Sequence, residues 1–446
     1  MKDRAGEDYG EALAAASVLV IDDEPGMRNF LTKIVGARVK RIEAAASPAE
    51  ATRLLDEAHF DIVILDNIMP GKTGLEWVTE QQRRGFFADV ILITAYADLE
   101  TAIAALRAGV SDFVLKPFRG NQILGALART LDRKILRRDN TLLRRELSAD
   151  GLKGQLLGTS PKLEDVRGLL QRLAPMSTPV LFTGASGTGK EVAARTLHQL
   201  SDRALRPFVA VNCAAIAPDR IAQELFGVIG TEGNRSPGLF LLADSGTLFL
   251  DEVAQMPDAL QAALLRALED QRIRAVGGER DIPLNLRLMF ATNADLGKAV
   301  EEGRFRADLY HRINVVNVEM PHLRDRAEDI VSLAAHFMEQ LATSMGVEPL
   351  ALDEETLLKL RRHDWPGNVR ELRNVIERSL ILGGFPEEFA GSGAVTGARA
   401  IEDLELITQR HILHILDRCG GNRAEAARRL GVSRKTIDRK VATWDL

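Results

Sequence analysis

Cysteine is scarce in this chain of 446 residues, which contains only Cys213 and Cys419, far apart in the sequence. Two distant cysteines exclude a disulfide framework and a structural zinc site, so we expect two reduced structural thiols. The chain also lacks an apolar run of about 18 residues, the length that a membrane-spanning helix requires. Its first residues, MKDRAGEDYGEALAAASVLV, lack the basic-then-apolar order of a signal peptide. We therefore expect a cytoplasmic protein without a membrane partner.

Charge of one sign does not dominate either, since 58 Lys and Arg residues face 63 Asp and Glu residues for a net charge of −5. This balance argues against a protein that coats nucleic acid along its whole length, although the C-terminal tail is locally basic. An apolar content of 46% with 27% charged residues is typical of soluble globular proteins. The length suffices for about three domains, each with its own core.

Residues 18 to 118 alternate short apolar runs with helical periods. Strands separated by helices of this length predict a parallel sheet with helices on both faces. The binding crevice of such a sheet lies at the carboxyl ends of the strands. Polar residues stand at these ends: Asp22 and Asp23 after the first strand, Asp66 at the end of the third, Thr94 at the end of the fourth and Lys116 at the end of the fifth.

Three carboxylates that converge on one crevice repel one another unless a cation is present, and such hard oxygen ligands suit Mg²⁺. We therefore expect Asp22, Asp23 and Asp66 to hold Mg²⁺. Asp66 would be the nucleophile towards a phosphoryl group, whose charge the metal and Lys116 would neutralise. Thr94 is placed to hydrogen-bond a phosphate oxygen. A single acid of this kind is more often a cap or a solvated loop residue, but the set at successive strand ends favours a phosphorylation site.

This stretch resembles the response-regulator receiver family over its whole length, through VLVIDDEP, DIVILDNIMPG, ITAYAD and KPF. The resemblance implies a (βα)5 flavodoxin-like domain, which we place at residues 15–130. It also implies that a sensor histidine kinase phosphorylates Asp66, and it puts Tyr96 at the place of an aromatic switch residue.

A helical period continues from Asn121 to Leu147, with apolar residues at spacings of three, four and seven. It predicts an amphipathic helix that leaves the receiver, with a helical linker at residues 131–150. The apolar stripe suits pairing with a second copy of the chain, while a solvent-facing linker helix explains it equally well. The apolar positions are Leu124, Leu127, Leu131, Ile135, Leu142, Leu143 and Leu147.

A second α/β pattern begins after Gly151 with PVLFTGASGTGKEVAARTLHQL, a buried strand, a glycine-rich turn and a helix. Its glycine and lysine spacing fits a loop whose backbone N–H groups and helix N-terminus receive phosphates while the lysine meets the outer ones. Glu191 stands where a serine or threonine usually holds Mg²⁺. The candidate ATP-binding residues of this loop are Gly184, Ser186, Gly187, Thr188, Gly189, Lys190 and Glu191.

The strand GTLFLDE ends in Asp251 and Glu252, a layout that holds Mg²⁺ through its water shell and polarises an attacking water. Such acids can be simple helix caps, but a phosphate loop about sixty residues upstream favours the nucleotide role. LMFATN ends in Asn293, and Arg306 and Arg312 follow in GRFRADLYHRINVV. These arginines could reach a neighbour's γ-phosphate, which requires a ring or a dimer, or could simply lie on a solvated helix face.

Residues 156 to 383 look like the AAA+ ATPase domain of NtrC-type bacterial enhancer-binding proteins, also called the sigma-54 interaction domain. GASGTGKEVAARTLH, ADSGTLFLDEV, FRADLYHR and HDWPGNVRELRNVIER are among the stretches that carry the resemblance. It implies an α/β core at 151–320, a helical lid at 321–383 and a hexameric or heptameric ring. The resemblance assigns phosphate binding to Lys190, and the metal and the attacking water to Asp251 and Glu252. It makes Asn212 the residue that couples the nucleotide state to the catalytic acid, and Asn293 and Arg370 the first and second sensors. Arg306 and Arg312 would be the arginine fingers that act on a neighbouring subunit.

The interval between ELFG and GLF reads VIGTEGNRSP. Family members carry here a longer loop with the signature GAFTGA, which presses on the sigma-54 form of RNA polymerase when ATP turns over. Instead of an apolar-aromatic knob, this chain offers the polar turn residues Thr231, Glu232, Gly233, Asn234 and Arg235. We expect ATP binding with slow hydrolysis, and a promoter effect through another polymerase form or by occlusion. The alternatives are conventional sigma-54 activation through a degenerate loop, and a DNA-binding protein that binds ATP without turnover.

The tail from 401 to 446 follows a linker at 384–400 that is rich in glycine and small residues. In GGNRAEAARRLGVSRKTIDRKVATW, Ala427 suits a helix crossing, Gly431 a tight turn and Ser433 a helix cap, the spacing of a helix-turn-helix. Eight basic residues lie between Arg418 and Lys440, which favours phosphate contact, although a basic hairpin packed on the ATPase is an alternative.

This tail resembles the Fis-type DNA-binding domain, an all-α module that ends the same family. The resemblance supports DNA binding, and because one helical unit reads a half-site, we expect dimers on palindromic DNA. The candidate DNA contacts are Ser433, Arg434, Lys435, Thr436, Arg439 and Lys440.

Overall fold

The computed structural model describes residues 13–95, 103–105, 107–148, 156–230, 235–386, 389 and 423–429. The described residues up to Arg326 form one compact unit, and those from Ala327 onward form a second. Several residues singled out in the sequence lie outside the described residues: Tyr96, Thr231, Glu232, Gly233, Asn234, Cys419, Ser433, Arg434, Lys435, Thr436, Arg439 and Lys440.

The first α/β domain contains a sheet of five parallel strands in the order β2-β1-β3-β4-β5. This confirms the predicted fold class. β3 is buried along its whole length because helices cover both faces of the sheet, which explains its continuous apolar run. The strands are β1 (Ser17–Ile21), β2 (Arg41–Ala45), β3 (Ile62–Asp66), β4 (Asp89–Thr94) and β5 (Asp112–Leu115), and the helices are α1 (Pro25–Gly36), α2 (Pro48–Glu57), α3 (Gly74–Arg84) and α4 (Gly120–Ser148).

Local sequence fixes both ends of α3. Thr73 and Glu76 form a capping box, in which each side chain accepts a hydrogen bond from the backbone N–H of the other. Gly85 ends the helix in the left-handed conformation, with φ at 106°. The start of α3 is thereby held close to the end of β3, because Gly74 N–H donates to the carbonyl of Asn67 over 2.9 Å.

Helix α4 begins in the receiver core and continues beyond it, as its sequence period predicts. Ile123, Leu127 and Leu131 are buried in the core below β1 and β4. Lys134 Nζ then donates to a carboxylate oxygen of Asp61 over 2.7 Å. One turn further the contact with the receiver weakens, since Leu136 is 68% exposed. Pairing of this helix with a second chain stays a prediction, and the side chains of Leu142, Leu143 and Leu147 lie outside the described residues.

The second α/β domain has five parallel strands in the order β14-β6-β13-β10-β7, with two small antiparallel hairpins, β8-β9 and β11-β12. Apolar clusters cover both faces of the sheet. The strands are β6 (Val180–Thr183), β7 (Phe208–Asn212), β8 (Gly227–Ile229), β9 (Arg235–Pro237), β10 (Thr247–Asp251), β11 (Arg272–Arg274), β12 (Asp281–Pro283), β13 (Arg287–Thr292) and β14 (Val316–Glu319). The helices are α5 (Pro161–Leu173), α6 (Lys190–Gln199), α7 (Ile221–Phe226), α8 (Leu239–Leu242), α9 (Asp258–Asp270), α10 (Leu296–Glu301) and α11 (Ala307–Ile313).

The second unit is helical in its described residues, with α12 (Asp329–Met345), α13 (Glu354–Arg362), α14 (Asn368–Leu382) and α15 (Arg423–Arg429). Trp365 anchors the turn between α13 and α14, because its ring stacks on Phe389 and its Nε1 donates to the carbonyl of Leu360 over 2.8 Å. Ala427, predicted to lie at a helix crossing, is buried. None of the described helices combines the length and apolarity needed to cross a bilayer.

Candidate functional site

The predicted acidic crevice forms at the carboxyl ends of β1 and β3, where the strand order reverses. Asp22 and Asp23 directly follow β1, and Asp66 is the last residue of β3. One carboxylate oxygen from each lies within 4.8 Å of the others. Asp22 and Asp66 are buried, whereas Asp23 is exposed, so the cluster opens to solvent on one side.

Lys116 bridges the two buried acids of this crevice. Its Nζ lies 2.9 Å from Asp66 Oδ2 and 3.6 Å from Asp22 Oδ2. Burial raises the pKa of Asp22, and the nearby charge of Asp66 adds to that, against the Glu24 N–H and Lys116, which lower it. Burial also opposes the charge of Lys116, but the hydrogen bond and charge of Asp66 outweigh it and raise the pKa of the ammonium. Lys116 therefore stays protonated beside Asp66, the predicted phosphoacceptor.

The crevice fits a hard divalent cation. Asp22 Oδ2 is buried and has no hydrogen-bond partner, an arrangement that costs free energy unless a cation or water satisfies the oxygen. The three acids supply only oxygen ligands, which Mg²⁺ prefers. The residues present are therefore those that a magnesium site requires.

Thr94 ends β4, the strand between β3 and β5, and it is buried. Its carbonyl accepts a hydrogen bond from Lys116 N–H over 2.9 Å, which ties the ends of β4 and β5 together. The structure thus brings Thr94 and Lys116 to the same sheet edge as the acids, as the sequence predicts.

Gly74 is a residue of this site that the sequence reasoning missed. A Cβ atom there would lie 2.5 Å from the Asp66 carbonyl oxygen and 3.0 Å from the Cα of Asn67. Only glycine therefore lets the start of α3 approach the phosphoacceptor so closely. The glycine that follows Thr73 in the capping box was the available signal, but its spacing from Asp66 does not reveal a contact.

We expect Gly74→Ala to slow phosphorylation of the full-length protein by about tenfold, because the new methyl group must displace the Asp66 backbone. Incorporation of phosphate from acetyl phosphate, followed by phosphate-affinity electrophoresis, measures the rate. Gly125→Ala is the matched control, since a Cβ there meets only the end of the Arg129 side chain, at 3.4 Å. Equal rates for the two variants would contradict a tight contact at Gly74.

The phosphate-binding loop connects β6 to α6. Gly184, Gly187 and Gly189 have φ values of +140°, +79° and +101°, which side-chain-bearing residues rarely adopt. A Cβ at Gly184 would also lie 2.8 Å from the Met320 carbonyl oxygen. Lys190 begins α6, and its Nζ reaches back to the carbonyls of Gly184 and Ala185, at 2.9 and 3.2 Å. The ammonium group is therefore held over the loop in which phosphates are expected.

Glu191, the unusual residue of this loop, is paired within its own helix. Arg195 Nη2 lies 2.8 Å from its carboxylate, and the guanidinium of Arg195 packs over the Phe208 ring. A carboxylate at a helix N-terminus competes with phosphate for the positive end of the helix dipole. The pair with Arg195 reduces that competition, while a direct role of Glu191 in ATP binding stays a prediction.

The predicted catalytic acids lie at the carboxyl end of β10, between the ends of β7 and β13. Asp251 Oδ1 accepts a hydrogen bond from Glu252 N–H, which holds Glu252 in a left-handed conformation with φ at 53°. Asn293, directly after β13, directs its N–H towards Glu252 at 3.5 Å. Asn212 pairs in register with Asp251, but its side-chain oxygen accepts from Ala214 N–H and caps a 3-10 turn. The phosphate loop, Asn293 and the acids thus share one edge of the sheet.

Arg306 precedes the helix α11 as its N-cap, and Arg312 lies in the last turn of the helix. The guanidinium of Arg306 is bound by Asp308, with contacts of 2.8 and 3.1 Å, and this hydrogen bond raises its pKa. Arg312 is exposed. Both side chains therefore lie at the surface of the first unit, whereas Arg370 belongs to α14 of the second unit.

Cys213, the residue after Asn212, is buried near the predicted catalytic acids. Its burial, together with the negative charges of Asp251 and Glu252, raises the pKa of the thiol to about 12. We therefore expect alkylation of Cys213 by iodoacetamide at pH 8 to be about a thousandfold slower in the native protein than in urea. Peptide mass mapping separates Cys213 from Cys419. Rapid native labelling of Cys213 would contradict its protonated, buried state.

Four protein-family models match successive parts of the chain. The response regulator receiver domain matches residues 18–128, and the sigma-54 interaction domain matches residues 156–319. The AAA+ ATPase lid domain matches residues 324–387, and the bacterial regulatory protein, Fis family, matches residues 403–444. The receiver implies a histidine-kinase partner, the Fis-family region implies DNA binding and the sigma-54 interaction domain implies contact with RNA polymerase.

Similarity also extends over nearly the full chain. Regulatory protein AtoC of Escherichia coli (strain K12) is 35% identical over 451 residues, which cover 96% of this chain and 98% of AtoC. Response regulator protein PilR of Pseudomonas aeruginosa is 37% identical over 447 residues, with 95% and 98% covered. The crystal structure of NtrX from Brucella abortus in complex with ATP superposes with a TM-score of 0.51 at 32% identity, covering 97% of this chain and 100% of that one.

Identity above 30% over almost the whole length, with all four domain matches in order, establishes the relationship. The two parallel sheets and the residues at their carboxyl ends agree with it. The chain belongs to the NtrC family of two-component response regulators, transcriptional regulators that join a receiver to a sigma-54 interaction domain and a Fis-type DNA-binding domain.

Proposed function

We propose that a sensor histidine kinase phosphorylates Asp66 and thereby controls the assembly of an ATP-binding oligomer on DNA. The observation that carries this proposal is the contact of Lys116 Nζ with Asp66 Oδ2, beside a buried Asp22 oxygen that lacks a hydrogen-bond partner. A protonated lysine at the Asp66 carboxylate and a neighbouring Asp22 oxygen that can coordinate a cation both favour phosphoryl transfer to Asp66.

In this step a carboxylate oxygen of Asp66 attacks the phosphorus atom, and the bond from phosphorus to the donor's imidazole nitrogen breaks. The Lys116 ammonium balances the charge of the incoming oxygens, and the hydroxyl of Thr94 donates to one of them. Mg²⁺ held by Asp22, Asp23 and Asp66 would neutralise the remaining charge. The phosphoryl group then separates Lys116 from Asp66, so the end of β5 must respond to phosphorylation.

The nucleotide site supports ATP binding by the same chain. Lys190 Nζ is held at the loop in which phosphates are expected, and Asp251 is the carboxylate suited to Mg²⁺. Glu252, aligned by Asp251 and Asn293, is the residue placed to polarise a water. The related NtrX structure contains ATP, which favours binding here.

The two surface arginines support the proposal of a ring or dimer. Arg306 and Arg312 lie at the surface of the first unit, where a neighbouring subunit's γ-phosphate could meet them. We propose a dimer of unphosphorylated chains, joined along α4, that converts into a hexameric or heptameric ring. The DNA-binding tail places such dimers on palindromic sites, with contacts from the second helix of the motif.

The polymerase step is the part of the proposal that depends on the short loop. We propose that it regulates transcription without conventional sigma-54 remodelling, because no GAFTGA sequence stands between ELFG and GLF. The structure describes only the flanks of this short loop, β8 and β9, which are three residues each. Such a loop offers little apolar surface for a groove on its partner.

In vitro transcription with purified polymerase tests this proposal. Phosphorylated protein, ATP and a template carrying its palindromic site are combined with polymerase holding either sigma-54 or the housekeeping sigma factor. We expect regulated output only with the housekeeping form. Output that needs sigma-54 and disappears in Glu252→Gln would instead establish activation through a degenerate loop, the alternative to our proposal.

A further inference from the structure

The short loop of this chain already has a partner within the first unit. Arg235, the first residue of β9, directs its guanidinium into the receiver, where Nη1 donates to the carbonyl of Phe86 over 2.9 Å. A Cβ atom at Gly109 would lie only 3.1 Å from Arg235 Nη2, so the guanidinium is seated between the segment after α3 and the segment before β5. Burial lowers the pKa of Arg235, and the nearby carboxylate of Asp89 partly offsets this.

The neighbouring hairpin grips the same side of the receiver. The N–H groups of Glu279 and Arg280 both point at the carbonyl of Arg84 in the last turn of α3, at 3.3 and 2.9 Å. Arg280 Nε also donates to Asp56 Oδ1 over 2.9 Å, and Arg272 donates to the Asp56 carbonyl in the last turn of α2. Helix C-termini present unpaired carbonyls and a negative dipole end, which N–H groups and guanidinium groups satisfy.

The two hairpins act as one surface because they are bonded to each other. Ile229 N–H donates to the Val276 carbonyl, and Val276 N–H donates to the Gly227 carbonyl, both over 2.9 Å. We call the combined segments, residues 227–229, 235–237 and 272–283, the hairpin pair. These bonds connect the hairpin that carries Arg235 to the hairpin that carries residues 279 and 280.

Part of the contact between the receiver and the hairpin pair is energetically unfavourable. The Arg280 side chain is only 4% exposed, yet its Nη1 and Nη2 have no hydrogen-bond partner. Burying unsatisfied guanidinium nitrogens is costly, so this part of the contact favours separation. Meanwhile the hydrophobic side chain of Phe87 packs on the core of the ATPase domain and favours association. Opposing contributions of this kind leave an interface that a moderate change can open.

We propose that the hairpin pair is a docking surface for the receiver of the same chain, with Arg235 as its latch. Arg235, the residue that directly follows the loop tip, makes a contact between domains. Arg235 Nη1 is bound to the Phe86 carbonyl, which holds the guanidinium at the receiver. This inference goes beyond the proposed function, because it holds whichever form of polymerase the protein uses.

Amide hydrogen exchange of the full-length protein tests the latch. The reporters are the N–H groups of Glu279 and Arg280, which donate across the interface. Arg235→Ala should speed their exchange by about tenfold, as expected for the loss of a hydrogen bond from a buried charged group. Arg220→Ala is the matched control, because Arg220 is an exposed arginine of the same domain whose partner is Glu224 on the adjoining helix. In Arg220→Ala, the N–H groups of Glu279 and Arg280 should exchange at the wild-type rate.

A second variant separates loss of the latch from loss of the fold. Asp56→Ala removes the receiver-side partner of Arg280, and Asp56 is more than half exposed, so its replacement leaves the receiver core intact. We expect it to speed exchange at the same two reporters, with the strands β3 and β10 still protected. If both variants exchange like Arg220→Ala at residues 279 and 280, the docking surface is refuted. The transcription assay tests the polymerase proposal separately. Refuting the docking surface would therefore leave the polymerase proposal standing, and the reverse also holds.

Discussion

Asp66→Asn abolishes phosphorylation of the full-length protein by acetyl phosphate or by a phosphorylated kinase. The amide is not a nucleophile at phosphorus, and it also removes one of the three carboxylates that would hold Mg²⁺. The substitution should leave the receiver folded, because the charge of Asp66 raises the pKa of Asp22 and its loss relieves that repulsion. We therefore expect a drop of at least about a hundredfold in phosphate incorporation without a loss of thermal stability.

Phosphate-affinity electrophoresis and a thermal melt of the same samples check both parts of this expectation. Asp132→Asn is the matched control, because it changes a carboxylate on α4, well after the crevice residues in the chain, and should be phosphorylated at the wild-type rate. Incorporation into Asp66→Asn at a comparable rate would place the phosphoacceptor elsewhere. Mass mapping of the labelled peptide would then identify it.

The second large effect is expected for Glu252→Gln. The amide keeps the size of the side chain and can still receive the Asn293 N–H, but it cannot accept a proton from water. Loss of a general base reduces turnover by about 100-fold to 10,000-fold while ATP binding stays intact. ATP hydrolysis by the phosphorylated protein, together with binding of a fluorescent ATP analogue, separates these two effects.

Two further variants serve as controls for Glu252→Gln, one for hydrolysis and one for ATP binding. Glu301→Gln changes an exposed carboxylate of α10 and should leave hydrolysis unchanged. Lys190→Ala should lose binding of the analogue, because its ammonium is the group held over the phosphate loop. If wild type and Glu252→Gln hydrolyse ATP at the same background rate, the chain is a DNA-binding protein that binds ATP without turnover.

Much of both sites could be predicted because parallel sheets gather the residues at their strand ends. Asp22, Asp66 and Lys116 are separated by long stretches of sequence, yet each stands at the carboxyl end of a buried strand, which is enough to bring them together. The same reasoning placed Asp251 and Asn293 on one edge of the second sheet. The fold class followed from this alternation as well.

Contacts that depend on close approach or on a particular partner were not predictable. Gly74 carries no side chain to suggest that it lies against Asp66. The side-chain oxygen of Asn212 caps its own turn, a local bond that competes with the coupling role that the resemblance assigns to it. The Arg235 side chain is held by the backbone carbonyl of Phe86, 149 positions away in the sequence. Every residue has a backbone carbonyl, so the residue types give no sign of this contact.

Helix α4 connects the predicted phosphorylation site to a region beyond the receiver core. Only Pro117, Phe118 and Arg119 separate Lys116 from its first residue, and its first turns are anchored in the receiver core. Its 29 residues correspond to a rod about 43 Å long, at about 1.5 Å per residue. A tilt of about 10° in the part of α4 beyond Lys134, which is about 21 Å long, would move the end of the helix by about 4 Å. A small movement near Asp66 would therefore be enlarged towards the end of α4, where we propose that a second chain pairs with it.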